Sequence, residues 1–157
     1  MFSPQIRVLI IDDSAIARNT LSRILETDPE IEVVGTAPDA LIGLRKIVEC
    51  SPDVLTLDVE MPKMDGLTFL ERLMSSRPMP VVMVSAYTSE GSETALRALD
   101  LGALEIIEKP SIDVSSGLQE LALQITDKVK AAAQAKLKSP QQRFQKQHLR
   151  NSHTQFA

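Results

Sequence analysis

The chain has 157 residues, of which 43% are apolar and only 3% aromatic, with no Trp and a net charge of −4. That is one ordinary domain with a true core plus an appendage, and the scarcity of rings argues against stacking platforms for bases or sugars. Lys138, Arg143, Lys146 and Arg150 give residues 138–157 a charge of +4 with no acid, so residues 1–137 carry −8, which suits neither nucleic acid nor an anionic membrane.

Ile6 to Ile11 reads as a buried strand ending on Asp12-Asp13, and Ser14 is a good N-cap for a first helix. Ile16, Thr20, Leu21, Ile24 and Leu25 recur at helical spacing until Asp28-Pro29 stops it. Ile31 to Ala37 is a second strand. Pro38, a natural first-turn residue, opens a second helix with Leu41, Leu44, Ile47 and Val48 at its apolar positions. After Ser51-Pro52, the β-branched run Val54 to Leu57 ends abruptly at Asp58 and reads as a strand buried on both faces. Asp65-Gly66 marks a turn, and a third helix from near Gly66 buries Leu67, Leu70 and Leu73. Pro78 and Pro80 lead into a fourth strand, Val81 to Val84, that ends on Ser85. A fourth helix covers about Glu90 to Leu101, with Gly102 as its C-cap. A short fifth strand, Leu104 to Ile107, runs into Glu108-Lys109-Pro110. From about Gly117, Leu118, Leu121, Ile125 and Val129 define a fifth helix that Ala131-Ala132-Ala133 can carry to about Leu137.

Strands alternating with helices predict a doubly wound α/β domain over residues 1–137, with a parallel five-stranded sheet covered on both faces. Residues 138–157 are too polar to fold alone and read as a linker or tail. Cys50 is the only cysteine, which excludes a disulfide framework and a Cys-based zinc site. Both histidines, His148 and His153, lie in that last segment, so a histidine-based triad or metal centre is not expected in the core. No signal peptide and no span of roughly 20 apolar residues is evident, which makes the cytoplasm the expected location.

The informative feature is what ends the strands. In a parallel sheet Asp12, Asp13, Asp58, Ser85 and Lys109 all reach one edge, the edge where open α/β sheets bind ligands. Each has an ordinary explanation when taken alone: a cap, a turn, a strand-end hydroxyl, a solvated lysine. Together, three carboxylates would repel one another unless a cation were present, and an all-oxygen cluster suits a hard divalent ion. Lys109 and the Ser85 hydroxyl would then complement phosphoryl oxygens, whose transfer asks mainly for positioning and charge neutralisation.

Ile-Ile-Asp12-Asp13-Ser, Asp58-Val-Glu-Met-Pro-Lys-Met-Asp-Gly66, Val-Ser85-Ala and Glu-Lys109-Pro110 resemble, in order and spacing, the motifs of a response-regulator receiver domain of two-component signalling. The resemblance covers about residues 5–130. It implies a flavodoxin-like (βα)5 fold with strand order 2-1-3-4-5. It also implies that Asp58 is the phosphoacceptor for the phosphohistidine of a sensor histidine kinase. Asp13 and Asp58 would bind Mg²⁺ (or Mn²⁺ as a substitute) through side chains, Glu60 would bind it through its backbone carbonyl, and Asp12 would hold metal-bound water. Ser85 would bond the phosphoryl oxygen and Lys109 would pair with it, its approach fixed by a cis Lys109–Pro110 bond. Output would pass through the face of helix four, strand five and helix five as a population shift.

The stretches around Asp58 and from Val82 to Ala103 are similar to the receivers of chemotaxis protein-glutamate methylesterases. The implied chain is thus the regulatory part of such a methylesterase, itself a phosphoacceptor domain and not an enzyme. The alternatives are a stand-alone regulator or a phosphorylation-independent docking module. Receivers commonly carry Tyr or Phe where this chain has Ile106; an aliphatic residue cannot act as an aromatic switch, and Tyr87 is the candidate substitute.

Overall fold

The computed structural model describes residues 5–86, 92–110 and 118–135, the side chains of 118 and 119 excepted. In chain order the elements are β1 (Ile6–Ile11), α1 (Ala15–Glu26), β2 (Ile31–Ala37), α2 (Ala40–Cys50), β3 (Val54–Asp58), α3 (Gly66–Ser76), β4 (Val81–Ser85), α4 (Glu93–Leu101), β5 (Glu105–Glu108) and α5 (Leu118–Gln134). Each pair of successive strands is separated by a helix, which supplies the crossover that parallel pairing requires. The sheet is five-stranded, wholly parallel, in the order β2-β1-β3-β4-β5. This is the expected flavodoxin-like arrangement.

The apolar runs explain which strands lie inside. Every residue of β3 and β4 is buried, as the Val, Leu and Met that dominate them demand of central strands. Alternate side chains feed two cores. Leu9, Ile11, Leu55, Leu57, Val81 and Met83 meet α2, α3 and α4 on one face. Val8, Ile10, Val54, Val82 and Val84 meet Leu21, Ile24 and Leu25 of α1 and Ile125 and Val129 of α5 on the other.

The helix starts follow side-chain capping, which satisfies orphan amides in the first turn. Ser14, Asp39, Asp65 and Ser92 each accept a hydrogen bond from the amide three residues on, at 3.2, 2.9, 2.9 and 3.1 Å. Two expectations change as a result. Pro38 is not in the first turn of α2 but one residue before its Asp39 cap, and Asp65 is more than a turn residue, because it caps α3. The expected start of the fourth helix near Glu90 lies outside the described residues, while Gly102 closes α4 at φ 117°, a left-handed conformation that suits glycine.

The phase of α2 also differs from expectation. Leu41, Leu44 and Val48 are 69, 47 and 69% exposed, and the helix buries Ala40, Gly43 and Ile47 instead. The cause is close packing: a Cβ at Gly43 would lie 2.7 Å from Ile11 Cδ1, so the small face of the helix is drawn onto β1. Ile16 is similarly exposed on α1, where Ala17 takes the inner position. No helix among the described residues is long and apolar enough to cross a membrane.

One buried group works against stability. The Thr56 hydroxyl on β3 has no hydrogen-bond partner among the described residues. Thr56→Val keeps the shape and removes the desolvated hydroxyl, so thermal unfolding should shift upward by a few degrees, for a gain of about 1 kcal/mol.

Candidate functional site

The strand order places a switch point between β1 and β3. From β1 the chain passes to α1 on one face, and from β3 to α3 on the other, which leaves a crevice at the carboxyl edge between them. Asp12 and Asp13 follow β1 directly and Asp58 ends β3, so the acids flank this crevice. Ser85 ends β4 and Lys109 follows β5 on the same edge.

Asp58 is 0% and Asp12 1% exposed, whereas Asp13 stands at the surface. One carboxylate oxygen from each of Asp12, Asp13 and Asp58 lies within 4.8 Å of the others. The Lys109 ammonium reaches across the crevice, 3.1 Å from Asp12 Oδ2 and 3.3 Å from Asp58 Oδ2. Backbone amides hold the remaining oxygens: Ser14 donates to Asp12 Oδ1 at 2.8 Å and Glu60 to Asp58 Oδ1 at 3.2 Å. The Arg18 guanidinium donates to the Asp12 carbonyl at 2.7 Å, tying α1 to the end of β1. Ser85 is buried, and its hydroxyl donates to Glu60 Oε1 at 2.5 Å.

The loop after Asp58 is shaped by backbone proximity. Lys63 adopts φ 69°, and the Met64 amide donates to the Pro62 carbonyl at 2.8 Å, which turns the chain back. The Gly66 amide then donates to the Val59 carbonyl at 2.9 Å. A Cβ at Gly66 would run into the Asp58 carbonyl and lie 2.9 Å from Val59 Cα. Glycine is required here because α3 begins against the backbone that carries Asp58.

The expected side chains thus meet in two sets, Asp12, Asp13, Asp58 and Lys109 in one and Ser85 and Glu60 in the other, which the backbone amides of Glu60 and Lys109 join. The Glu60 side chain on Ser85 is a contact across 25 residues that no local pattern encodes. Ile106 is half-buried on β5 opposite Met83, packed against the core beneath α2, α3 and α4. Tyr87 lies outside the described residues. The Lys109–Pro110 bond is trans, contrary to the expected cis form. Lys109 needs no such bond to reach the acids, since its amide pairs with the Ser85 carbonyl at 2.8 Å and continues the β4–β5 ladder.

Electrostatics make this a cation site in waiting. Burial, then the negative charge of Asp12 and a hydrogen bond with Asp13, push the Asp58 pKa up to about 8, against the opposing pull of Lys109 and the Glu60 amide. Burial alone would depress the Lys109 ammonium, but its bonds and ion pairs with Asp12 and Asp58 outweigh this and raise its pKa. Three acids thus face one ammonium. Asp12 Oδ2 is buried without a hydrogen bond among the described residues, though it lies in the Lys109 ion pair. An all-oxygen set with one under-satisfied carboxylate oxygen fits a hard divalent cation.

A doubly wound α/β domain with acids, a hydroxyl and an ammonium at its switch point defines a class that handles anionic groups beside a cation. The chain belongs to the response regulator receiver domain family, whose profile matches residues 8–121. It is 57% identical over 132 residues to a protein-glutamate methylesterase/protein-glutamine glutaminase of Methylobacillus flagellatus, a match that takes in 84% of this chain and 37% of that protein. It therefore spans little more than a third of that relative's length. The response regulator domain of Thermotoga maritima CheB superposes with a TM-score of 0.75 at 38% identity, covering 84% of this chain and 98% of that one. R. sphaeroides CheY6, solved in complex with the P1 domain of CheA3, is represented by a match at TM-score 0.67 and 33% identity over 82% of this chain and 99% of that one.

The raised pKa has a consequence for stability. Without a cation, folded Asp58 keeps its proton up to about pH 8, while the unfolded side chain loses it near 3.8. The folded state binds more protons across that window, so stability falls as pH rises through it. Asp58→Asn should therefore raise the melting temperature in chelator-treated buffer at pH 8, with the gain vanishing toward pH 4. Adding a divalent cation at pH 8 should raise the wild-type melting temperature and leave the Asn variant nearly unchanged.

Proposed function

We propose that Asp58 accepts a phosphoryl group from the phosphohistidine of a chemotaxis-type sensor histidine kinase, with Mg²⁺ held by Asp12, Asp13, Asp58 and the Glu60 backbone carbonyl. Residues 1–137 would form the regulatory unit of a protein-glutamate methylesterase, and 138–157 a polar linker. The receiver itself is the phosphoacceptor rather than the esterase. The observation that carries this reading is a buried carboxylate at a strand end, with two acids within 4.8 Å and a lysine ammonium at 3.3 Å.

The chemistry follows from those groups. An oxygen of Asp58 attacks phosphorus, the P–N bond of the phosphohistidine breaks, and the leaving imidazole takes up a proton. Lys109 lies where it can balance charge on the transferring oxygens. The Glu60 amide on Asp58 Oδ1 holds the carboxylate in one orientation, which limits the ways the nucleophile can point. A bound Mg²⁺ supplies positive charge to the acids and the phosphoryl oxygens, favouring the ionised form of Asp58. The kinase partner is supported by the likeness to CheY6 solved with the P1 domain of CheA3. The methylesterase context is supported by the relatives, and for those domains outside the chain it is a proposal by likeness alone.

Output would use the face around the edge strand β5. Leu96 and Leu99 of α4 and Leu123 of α5 are 55, 46 and 64% exposed on the helices that flank it. With Ile106 packed as an aliphatic core residue, Tyr87 would carry part of the relay from Ser85. Tyr87→Ala should leave phosphorylation intact and weaken its effect on the output partner's affinity.

Incubation with Mg²⁺ and a small acyl phosphate donor, followed by intact mass measurement, tests the central reading. The wild type should gain one phosphoryl group and Asp58→Asn none. Lys109→Ala should slow the gain on the order of a hundredfold, the usual cost of removing one charge-stabilising donor. An adduct that persists in Asp58→Asn would sink the assignment.

A further inference from the structure

Glu60 is exposed at the rim of the site, yet its carboxylate is not merely solvated. It accepts the Ser85 hydroxyl at 2.5 Å across 25 residues of sequence. Ser85 is itself 0% exposed at the end of β4, where its carbonyl receives the Lys109 amide at 2.8 Å. The backbone of Ser85 is thus held by the strand ladder, while its hydroxyl is claimed by a carboxylate. A hydroxyl has one proton to donate. An anionic group on Asp58 that is to receive the Ser85 proton must take it from Glu60.

We propose that Glu60 is a positioning residue for the switch: its carboxylate latches the Ser85 hydroxyl in the unmodified protein and competes for it with the phosphoryl group on Asp58. The inference rests on the phosphoacceptor reading and adds a threshold to it. A hydrogen bond to a charged acceptor is among the stronger kinds, so giving up the one to Glu60 offsets much of what the bond to the phosphoryl group gains. The departing Glu60 side chain has solvent to enter, because the loop from Glu60 to Lys63 is open apart from Met61. Glu60 also lies two residues beyond Asp58 and donates its amide to it, so the latch and the acceptor share one short segment. Removal of the side chain leaves that amide and the carbonyl in place, which separates the latch from the metal role proposed for the backbone.

Beryllium fluoride with Mg²⁺ serves as a phosphoryl stand-in on Asp58, and its affinity can be followed by amide shifts of Ser85 and Ala86. Glu60→Ala should tighten binding roughly tenfold in the wild-type background and not measurably in a Ser85→Ala background, because the competition needs the hydroxyl. Glu60 is exposed and Ser85→Ala removes one atom, so the four proteins of the cycle should share one fold, which melting curves would establish. Equal tightening in both backgrounds would mean that Glu60 only repels the anion, and overturns the latch. No tightening in either overturns it too. If the wild type shows no Asp58-dependent binding at all, the phosphoacceptor reading falls and the latch falls with it.

Discussion

Carboxylates buried side by side are the constraint on which this domain depends. Asp58 and Asp12 have almost no solvent to share their charge, and Asp13 closes the cluster from the surface. Such a group is costly in a folded protein unless protons, an ammonium or a metal offset it. Here Lys109 does so in part, bridging Asp12 and Asp58, and a proton on Asp58 does the rest until the pH approaches 8. The same imbalance that weakens the cation-free fold is the ground for proposing a divalent ion here, and through it an anionic group.

The scaffold holds this cluster by backbone rather than by side chains. β3 is paired on both edges and covered on both faces, so Asp58 emerges from the stiffest part of the sheet. Amides of Ser14 and Glu60 fix one oxygen each of Asp12 and Asp58. Gly66 lets the first turn of α3 press against the Asp58 carbonyl, which sets the loop between them. Around this buried centre, Glu60 and the apolar positions of α4 and α5 are exposed.

Much of this was legible in the chain itself. The strand boundaries of β1 and β2 followed from runs of Ile and Val between turn residues, and β3 and β4 from their abrupt ends at Asp58 and Ser85. Gly102 announced the end of α4 because a left-handed cap favours glycine. Local patterns failed where packing between distant segments decided. Leu41, Leu44 and Val48 have helical spacing and the right hydrophobicity, yet Gly43 pressed onto Ile11 turns them outward. The pairing of the Lys109 amide with Ser85 was equally invisible, since it is a contact between strands.

What the sequence determined by itself was the parallel sheet, the edge at which the acids, hydroxyl and ammonium gather, and the family to which the motifs belong. Those follow from strand-ending residues, whose placement is a local property of the chain. The tertiary structure alone decided how those groups face one another: Lys109 between Asp12 and Asp58, and the Glu60 carboxylate on the Ser85 hydroxyl. Such pairings depend on burial and on distances between strands far apart in sequence, so the charge balance of the site exists only once the sheet has assembled.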